Sequence, residues 1–295
     1  MNTVEGTEAK LAKLAQESEL STLTTFQLAG KVKKLLKPAN VNELAEIIQM
    51  FHQDGEHFKI IGGGSNTIIR DGANVPLVST TRLKKMKFDG NYVFVESGVN
   101  LSTIVAESAK RGLSGIEFAS GIPGTIGGAV FMNSGAFGGE ISHHLQSIFI
   151  VNEKGETKEV KASDVEFSYR DSSFHDEKMW VAGCVLKLNY STPSEVKNKV
   201  EKFLEEKRKS QPLSMPSVGC IFKNPEGDYA ARLIDVAGLK GFRVGGVMVS
   251  TKHAGFFVNI GEATFNDFKA VYMRVQKEVK EKLGVELEPE ITIVW

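Results

Sequence analysis

The placing of glycine, more than its amount, constrains what this chain can fold into. Of 29 glycines in 295 residues, three stand together at Gly62-Gly63-Gly64 and nine lie between Gly112 and Gly139. Average usage of about 7% would give roughly 21, so a modest excess is concentrated in two places. The first cluster follows a short apolar stretch, His57 to Ile61, and runs on into Ser65-Asn66. Such a turn after a strand offers several backbone N–H groups with no side chain in the way, which is what a phosphate or pyrophosphate needs. Glycines make ordinary turns too, so these residues alone fit either a phosphate cradle or a plain turn. A P-loop is excluded because no Gly-Lys-Ser/Thr follows, and a Rossmann fingerprint because Thr67-Ile68-Ile69-Arg70 reads as strand rather than helix. The second cluster, Ser120-Gly121-Ile122-Pro123-Gly124-Thr125-Ile126-Gly127-Gly128-Ala129, leads into Phe131-Met132-Asn133-Ser134-Gly135-Ala136. A chain this rich in glycine and proline can press closely against a ligand or another backbone. Two such segments in one half of the chain favour a large nucleotide cofactor over two unrelated turns.

The pattern around the glycines is mixed. The first 20 or so residues read as a leading helix or loose arm. Asn40 followed by Glu43 starts a helix whose Leu44, Ile47, Ile48 and Phe51 share one face before Gly55. Lys85 to Gly98 reads as a hairpin around Asp89-Gly90, and Asn100 or Ser102 caps a helix that runs through Arg111 to Gly112. A second hairpin, Gln146 to Val151 with Thr157 to Val160, is followed by strand-like segments at Val165 to Tyr169 and Trp180 to Asn189. Thr192-Pro193-Ser194-Glu195 is a capping box with proline at the first helical position, opening a charged helix through about Lys209. This abrupt shift after a run of strands marks a domain boundary near residue 191. Beyond it come a strand at Cys220 to Lys223, a helix at Tyr229 to Val236, strands near Val247 and at Phe256 to Ile260, and a strand at Ile291 to Trp295. Between the last two lies a helix from Thr264 to Leu283 with Phe265, Phe268, Val271, Tyr272, Val275 and Val279 on one face. The fold class is α+β, built from hairpins rather than repeated βαβ units.

Composition removes several functions. Lys+Arg and Asp+Glu are 36 each, so the basic excess of a nucleic-acid or anionic-membrane binder is missing. No stretch approaches the roughly 18 apolar residues that would span a bilayer, and Met1 to Lys13 lacks the apolar core of a signal peptide. The two cysteines, Cys184 and Cys220, form neither a zinc pattern nor a disulfide framework, which fits a reducing, cytoplasmic setting. Among the six histidines only His143 and His144 are paired, and neighbours on a strand face opposite ways, so no metal is expected. No Gly-x-Ser-x-Gly elbow suggests a hydrolase.

Five groups of residues carry a family resemblance that runs from about Thr22 to Val294. They are Thr24-Thr25-Phe26, Gly62-Gly63-Gly64-Ser65-Asn66, Gly121-Ile122-Pro123-Gly124-Thr125-Ile126-Gly127-Gly128 and Tyr169-Arg170-Asp171-Ser172, then Gly219-Cys220-Ile221-Phe222-Lys223-Asn224-Pro225 with Leu287-Glu288-Pro289-Glu290. In this order and spacing the sequence resembles the UDP-N-acetylenolpyruvoylglucosamine reductase (UDP-N-acetylmuramate dehydrogenase) family, flavoenzymes of bacterial peptidoglycan precursor synthesis. The short Gln211 to Ser217 linker resembles the branch without an extra substrate-covering loop. The resemblance implies a two-subdomain FAD-binding region of the vanillyl-alcohol-oxidase (PCMH) type plus a C-terminal α+β substrate-binding domain. The implied division is an N-terminal arm or helix over 1–20, FAD subdomains over 21–82 and 83–191, a substrate domain over 192–284, and a strand over 285–295 returning toward the flavin site. Non-covalent FAD would lie on Gly62, Gly63, Gly64, Ser65, Asn66 and Thr67, and on Ser120, Gly121, Ile122, Pro123, Gly124, Thr125, Gly127 and Gly128.

In the family reaction NADPH reduces FAD, and the reduced flavin passes hydride to the enolpyruvyl group, one pocket serving both halves. Hydride addition drives charge onto the substrate carboxylate, where a cation and a hydrogen-bonding partner are needed. Arg170 matches the cation; its planar fork holds a carboxylate and never deprotonates. Glu290 matches the acidic partner, as a protonated or hydrogen-bonded acid. Cys220 stands where the family commonly has a proton-donating serine, and a thiol is the stronger acid, with a reference pKa of about 8.5. Cys220 packed in a strand, with solvent or Glu290 giving the proton, is the other reading. Tyr169, Arg208, Lys223 and Asn224 match substrate contacts; for Lys223 and Asn224 a capped turn before Pro225, and for Arg208 a solvated helix end, are the plainer readings. Lys240-Gly241 matches a motif whose role can be structural. The partners implied are the UDP-sugar and NADPH, with the protein a monomer. Another FAD oxidoreductase of the superfamily acting on a hydroxy acid or sugar lactone, or a flavin-binding module without catalysis, are the alternatives.

Overall fold

The computed structural model describes residues 15–175 and 178–295. Most of the expected N-terminal arm falls outside them; Gln16–Glu19, at its end, is a strand rather than a helix or loose arm. The described chain divides into two compact units: one of residues 15–16, 34–63 and 75–205, the other of residues 17–33, 64–74 and 206–295.

The first unit is organised by a five-stranded antiparallel sheet in the order Thr157–Lys161, Leu145–Asn152, Met179–Lys187, Tyr92–Glu96, Met86–Asp89. The three inner strands are covered on both faces, which is why they read as apolar runs rather than clean alternation, whereas the two edge strands stay largely exposed or alternate. Ile148 and Ile150 enter one core with Val93, Val95, Ile104, Ile126, Val130 and Cys184. Phe149 and Val151 point the other way, to Leu44, Ile47, Ile48 and Phe51 of the helix Val41–Asp54. A register shift between Phe149–Gly183 and Ile150–Val181 skips Ala182, which turns to the second core while Val181 and Cys184 stay in the first. The helix Val41–Asp54 begins where Asn40 accepts from the Glu43 N–H and ends at Gly55, left-handed at φ +66°. In the same unit Leu77–Ser79 lies parallel to Lys59–Ile61, and pairs in parallel with Leu35 and Leu36.

The second unit has a three-stranded antiparallel sheet of Arg243–Val244, Val247–Val249 and Phe257–Asn259. The helix Phe265–Leu283 packs on it through the six residues its sequence pattern singles out, and Thr264 and Asp267 form a complete capping box. Thr292–Val294 pairs in parallel with Thr67–Ile69.

The sequence pattern assigns no element to Ile126–Phe131, and three expectations change. Ile126–Phe131 inside the second glycine cluster is a helix, despite the roughly 1 kcal/mol that each interior glycine costs it. Tertiary packing decides this, because a Cβ on Gly127 would lie 2.6 Å from Ser97 Cβ. Cys220 to Lys223 is not a strand: Cys220 bridges Phe256 and Phe222 bridges Pro289, and proline's missing N–H prevents a longer ladder. Val165 to Tyr169 shortens to Phe167–Ser168 after a 3-10 turn over Ala162–Asp164. His143 and His144 lie in the 3-10 turn Ile141–His144 rather than on a strand.

Candidate active site

In the first unit the two glycine clusters meet. A Cβ on Gly62 would collide with the Thr125 hydroxyl, and one on Gly63 would lie 2.9 Å from Gly124 Cα. The chain from Gly124 to Gly127 is clamped against Ser97 to Leu101 by N–H···O bonds from Leu101 to Gly124 (3.1 Å), Ile126 to Val99 (2.9 Å) and Gly127 to Ser97 (2.9 Å). The result is a closely packed shelf of backbone. Ser120 Oγ and Thr125 Oγ1 are buried there without a hydrogen-bond partner, as is Ser97 Oγ behind them. An unpaired buried hydroxyl costs about 1–3 kcal/mol, so such a cluster fits donors waiting for phosphoryl oxygens. Bare backbone plus orphaned hydroxyls is the donor set that a dinucleotide pyrophosphate takes, and FAD fits these residues.

The rest of the first cluster belongs to the second unit. Gly64, at φ +63°, has no room for a Cβ because the Leu23 carbonyl and Thr24 lie against it, and Thr25 N–H donates to Gly64 O at 3.0 Å. Asn66 Nδ2 donates to Glu290 O at 3.0 Å, Thr292 N–H to Asn66 O at 2.9 Å, and Thr67 pairs with Thr292. Glu290 N–H in turn donates to Ile221 O at 2.9 Å, and Lys223 N–H to Glu288 O at 2.9 Å. Backbone bonds therefore draw Asn66, Cys220, Lys223 and Glu290 together within one unit. Cys220 is half-buried. The other cysteine, Cys184, is fully enclosed in the sheet of the first unit, and burial pushes its thiol up to about 12, which leaves it inert.

Arg170 is in the first unit, at the two-residue turn between Phe167–Ser168 and Asp171–Ser172. Its φ is +57°, a left-handed conformation that costs a residue with a Cβ about 1–2 kcal/mol. Strain of this kind collects where a side chain must be aimed rather than merely accommodated. Arg170 Nη2 donates to Gly135 O at 2.8 Å, and the guanidinium lies 5.1 Å from the Tyr169 ring centroid. Tyr169 itself is exposed.

The remaining residues divide. Asn224 Oδ1 accepts from Ala230 N–H at 3.1 Å and so caps the helix Ala230–Val236. Arg208 is exposed on the helix Pro193–Ser210, its carbonyl taking a hydrogen bond from Lys252 Nζ. Its neighbour Lys207 is the inward one, 3 % exposed. Helical phase could have revealed this, since Val196, Val200, Phe203 and Lys207 follow a 3.6-residue stripe. Sequence reasoning also missed Asn133, buried beside the Arg170 turn. A cleft of about 430 Å³ in the second unit, lined by Arg70, Asp71, Thr264 and Phe265 among others, contains none of these residues. No group of three or more His, Cys, Asp or Glu among the described residues could hold a metal ion.

A glycine shelf with orphaned hydroxyls on an α+β unit fits an FAD-binding flavoprotein, and the family matches place the chain in that class. Residues 32–161 match the FAD binding domain family, and residues 211–294 match the family described as UDP-N-acetylenolpyruvoylglucosamine reductase, C-terminal domain. The UDP-N-acetylenolpyruvoylglucosamine reductase of Caldicellulosiruptor saccharolyticus is 38% identical over 292 residues, covering 98% of this chain and 94% of its own. That of Thermotoga maritima is 38% identical over 279 residues, covering 94% and 97%. The crystal structure of the Thermus caldophilus reductase superposes with a TM-score of 0.82 at 30% identity, covering 95% and 98%. The chain belongs to the UDP-N-acetylenolpyruvoylglucosamine reductase family.

Proposed function

We propose that the protein uses NADPH to reduce the enolpyruvyl group of UDP-N-acetylglucosamine enolpyruvate to UDP-N-acetylmuramate, within peptidoglycan precursor synthesis. The observation that carries this reading is the likeness to reductases of that name over nearly the whole of both chains. The left-handed Arg170 adds independent support from geometry. FAD, held on Gly62, Gly63 and Ser120 to Gly128, with Gly64 to Thr67 as the second group of contacts, supplies when bound a carrier that takes hydride from NADPH and delivers it to the enolpyruvyl methylene carbon.

Arg170 holds the substrate carboxylate with two parallel N–H donors. As a C–H bond forms at the methylene carbon, the π electrons move toward C2 and the carboxylate, and the fixed guanidinium stabilises that charge without reorganising. Cys220 then gives its S–H proton to C2, and the thiolate regains a proton from solvent. Hydride and proton together saturate the double bond while NADPH is oxidised. Glu290, bonded through its backbone to Ile221 and Asn66, shares in holding the enolic charge. Tyr169, Lys223, Asn224 and Arg208 are the contacts for the UDP-sugar. The protein is read as a cytoplasmic monomer; among the described residues no helix is long and apolar enough to cross a membrane, a fact that says nothing of oligomeric state.

Replacing Cys220 by Ala tests the chemistry. Flavin reduction by NADPH should stay near the wild-type rate while reoxidation by the enolpyruvyl substrate slows severely, and Cys220→Ser should keep activity. Wild-type rates for both half-reactions in Cys220→Ala would remove the thiol from the mechanism.

A further inference from the structure

We propose that Asn133 is a positioning residue for Arg170, holding the turn that aims the guanidinium at the substrate carboxylate. The inference rests on the role given to Arg170 above. Asn133 is 1 % exposed and itself left-handed, at φ +41°. Both amide hydrogens and the amide oxygen are engaged: Nδ2 donates to Ser168 O and to Glu140 Oε2, both at 2.9 Å, and Oδ1 accepts from Ser142 N–H at 3.3 Å.

These bonds close a ring around the arginine. From Asn133 the path runs to Ser168, which with Asp171 flanks the Tyr169-Arg170 turn. Arg170 reaches Gly135 O at 2.8 Å, Gly135 pairs with Glu140, and Glu140 returns to Asn133. The ladder carrying the turn has two rungs, Phe167–Ser172 and Ser168–Asp171, too short to hold a left-handed arginine by itself. Its second strand is pinned by Ser172 Oγ donating to Phe131 O at 2.6 Å; its first is pinned by Asn133. Glycine at 135 lets the ring close, since a Cβ there would lie 2.9 Å from Glu140 Cγ and 3.4 Å from Arg170 Nη1. Without the Asn133 amide the turn can relax toward negative φ, and the guanidinium swings away.

The test uses the FAD-loaded enzyme in anaerobic stopped-flow, following flavin reduction by NADPH and reoxidation by UDP-N-acetylglucosamine enolpyruvate separately. The variants are Asn133→Asp, which keeps the shape but loses the donor, Glu140→Ala, Arg170→Ala, and Asn133→Asp combined with Arg170→Ala. Calorimetric binding of the substrate to the oxidised enzyme is a second readout. Loss of hydrogen bonds that hold a charged group predicts reoxidation slowed about tenfold or more in Asn133→Asp and in Glu140→Ala. Reduction by NADPH stays within about twofold, and the double variant is no slower than Arg170→Ala because both changes remove one interaction. Substrate affinity should follow the same pattern. Reoxidation near the wild-type rate in either Asn133→Asp or Glu140→Ala, equal slowing of both half-reactions, or additive losses in the double variant would overturn the inference. If Asn133→Asp loads no FAD, Glu140→Ala alone decides. An Arg170→Ala enzyme that reoxidises normally overturns the Arg170 reading and this one together, whereas a slow Arg170→Ala beside a fast Glu140→Ala overturns only the role of Asn133.

Discussion

The left-handed Arg170 makes an unusual stability prediction: glycine should be better than alanine at position 170. Both substitutions remove the same guanidinium, its 2.8 Å bond to Gly135 O and its place over Tyr169, so those losses cancel in the comparison. What differs is a Cβ at φ +57°. The left-handed conformation costs alanine about 1–2 kcal/mol and glycine nothing. Glycine gives back about 0.5–1 kcal/mol through the greater freedom of its unfolded chain. The balance favours Arg170→Gly by about 0.75 kcal/mol at mid-range, within limits of about 0 and 1.5 kcal/mol, the reverse of the usual order. At roughly 2–4 °C per kcal/mol for a chain of this size, the mid-range value puts its Tm about 1.5–3 °C above that of Arg170→Ala. Scanning calorimetry on both apoproteins under one buffer measures it, and both variants, once loaded with FAD, should be reoxidised slowly by the substrate. An Arg170→Ala protein more stable than Arg170→Gly would refute the strained turn.

Gly128→Ala should separate fold from cofactor, because a Cβ there meets nothing nearer than Thr125 Oγ1 at 3.9 Å and sits in the helix Ile126–Phe131. The apoprotein should gain up to about 1 kcal/mol of stability from the better helix former while FAD binding weakens; unchanged FAD affinity by equilibrium titration would take Gly128 out of the cradle. Gly63→Ala should fail to load FAD at all, since its Cβ would lie 2.9 Å from Gly124 Cα and backbone cannot rotate away; a wild-type ratio of flavin to protein absorbance would refute the contact between the clusters. His144 and His253 are both pushed below the ordinary histidine value, chiefly by burial, with His143 and Lys240 respectively adding charge repulsion. The unfolded chain then binds more protons than the folded one, so Tm should fall as pH drops through and below about 6.5. His253→Gln should flatten that slope, and a Tm independent of pH in this window would contradict both depressed values.

Much of the fold was legible because local signals agreed with the tertiary outcome. The helix Phe265–Leu283 carries its cap, its apolar stripe and its left-handed Gly284 in sequence, and Val41–Asp54 likewise. The helix Ile126–Phe131 was not legible, because its two glycines argue against a helix and the reason for them, close approach to Ser97, is a long-range contact. At the site, the residue types of the shelf and of Cys220, Glu290 and Arg170 stood out as motifs. The way they are held did not: Gly62 to Thr67 reads as one motif, yet Gly63 packs on Gly124 in one unit and Gly64 on Leu23 and Thr24 in the other. Asn133 looks like any loop asparagine until Ser168 and Glu140, 35 and 7 residues away, are brought to its amide.

The central claim is that one flavin passes hydride from NADPH to an enolpyruvyl sugar, and the visible spectrum tests it directly. Purified protein loaded with FAD should be yellow, should bleach anaerobically on one equivalent of NADPH, and should recover its colour when UDP-N-acetylglucosamine enolpyruvate is added. A protein that takes up no FAD, or one that bleaches and stays colourless with that substrate, would contradict the account.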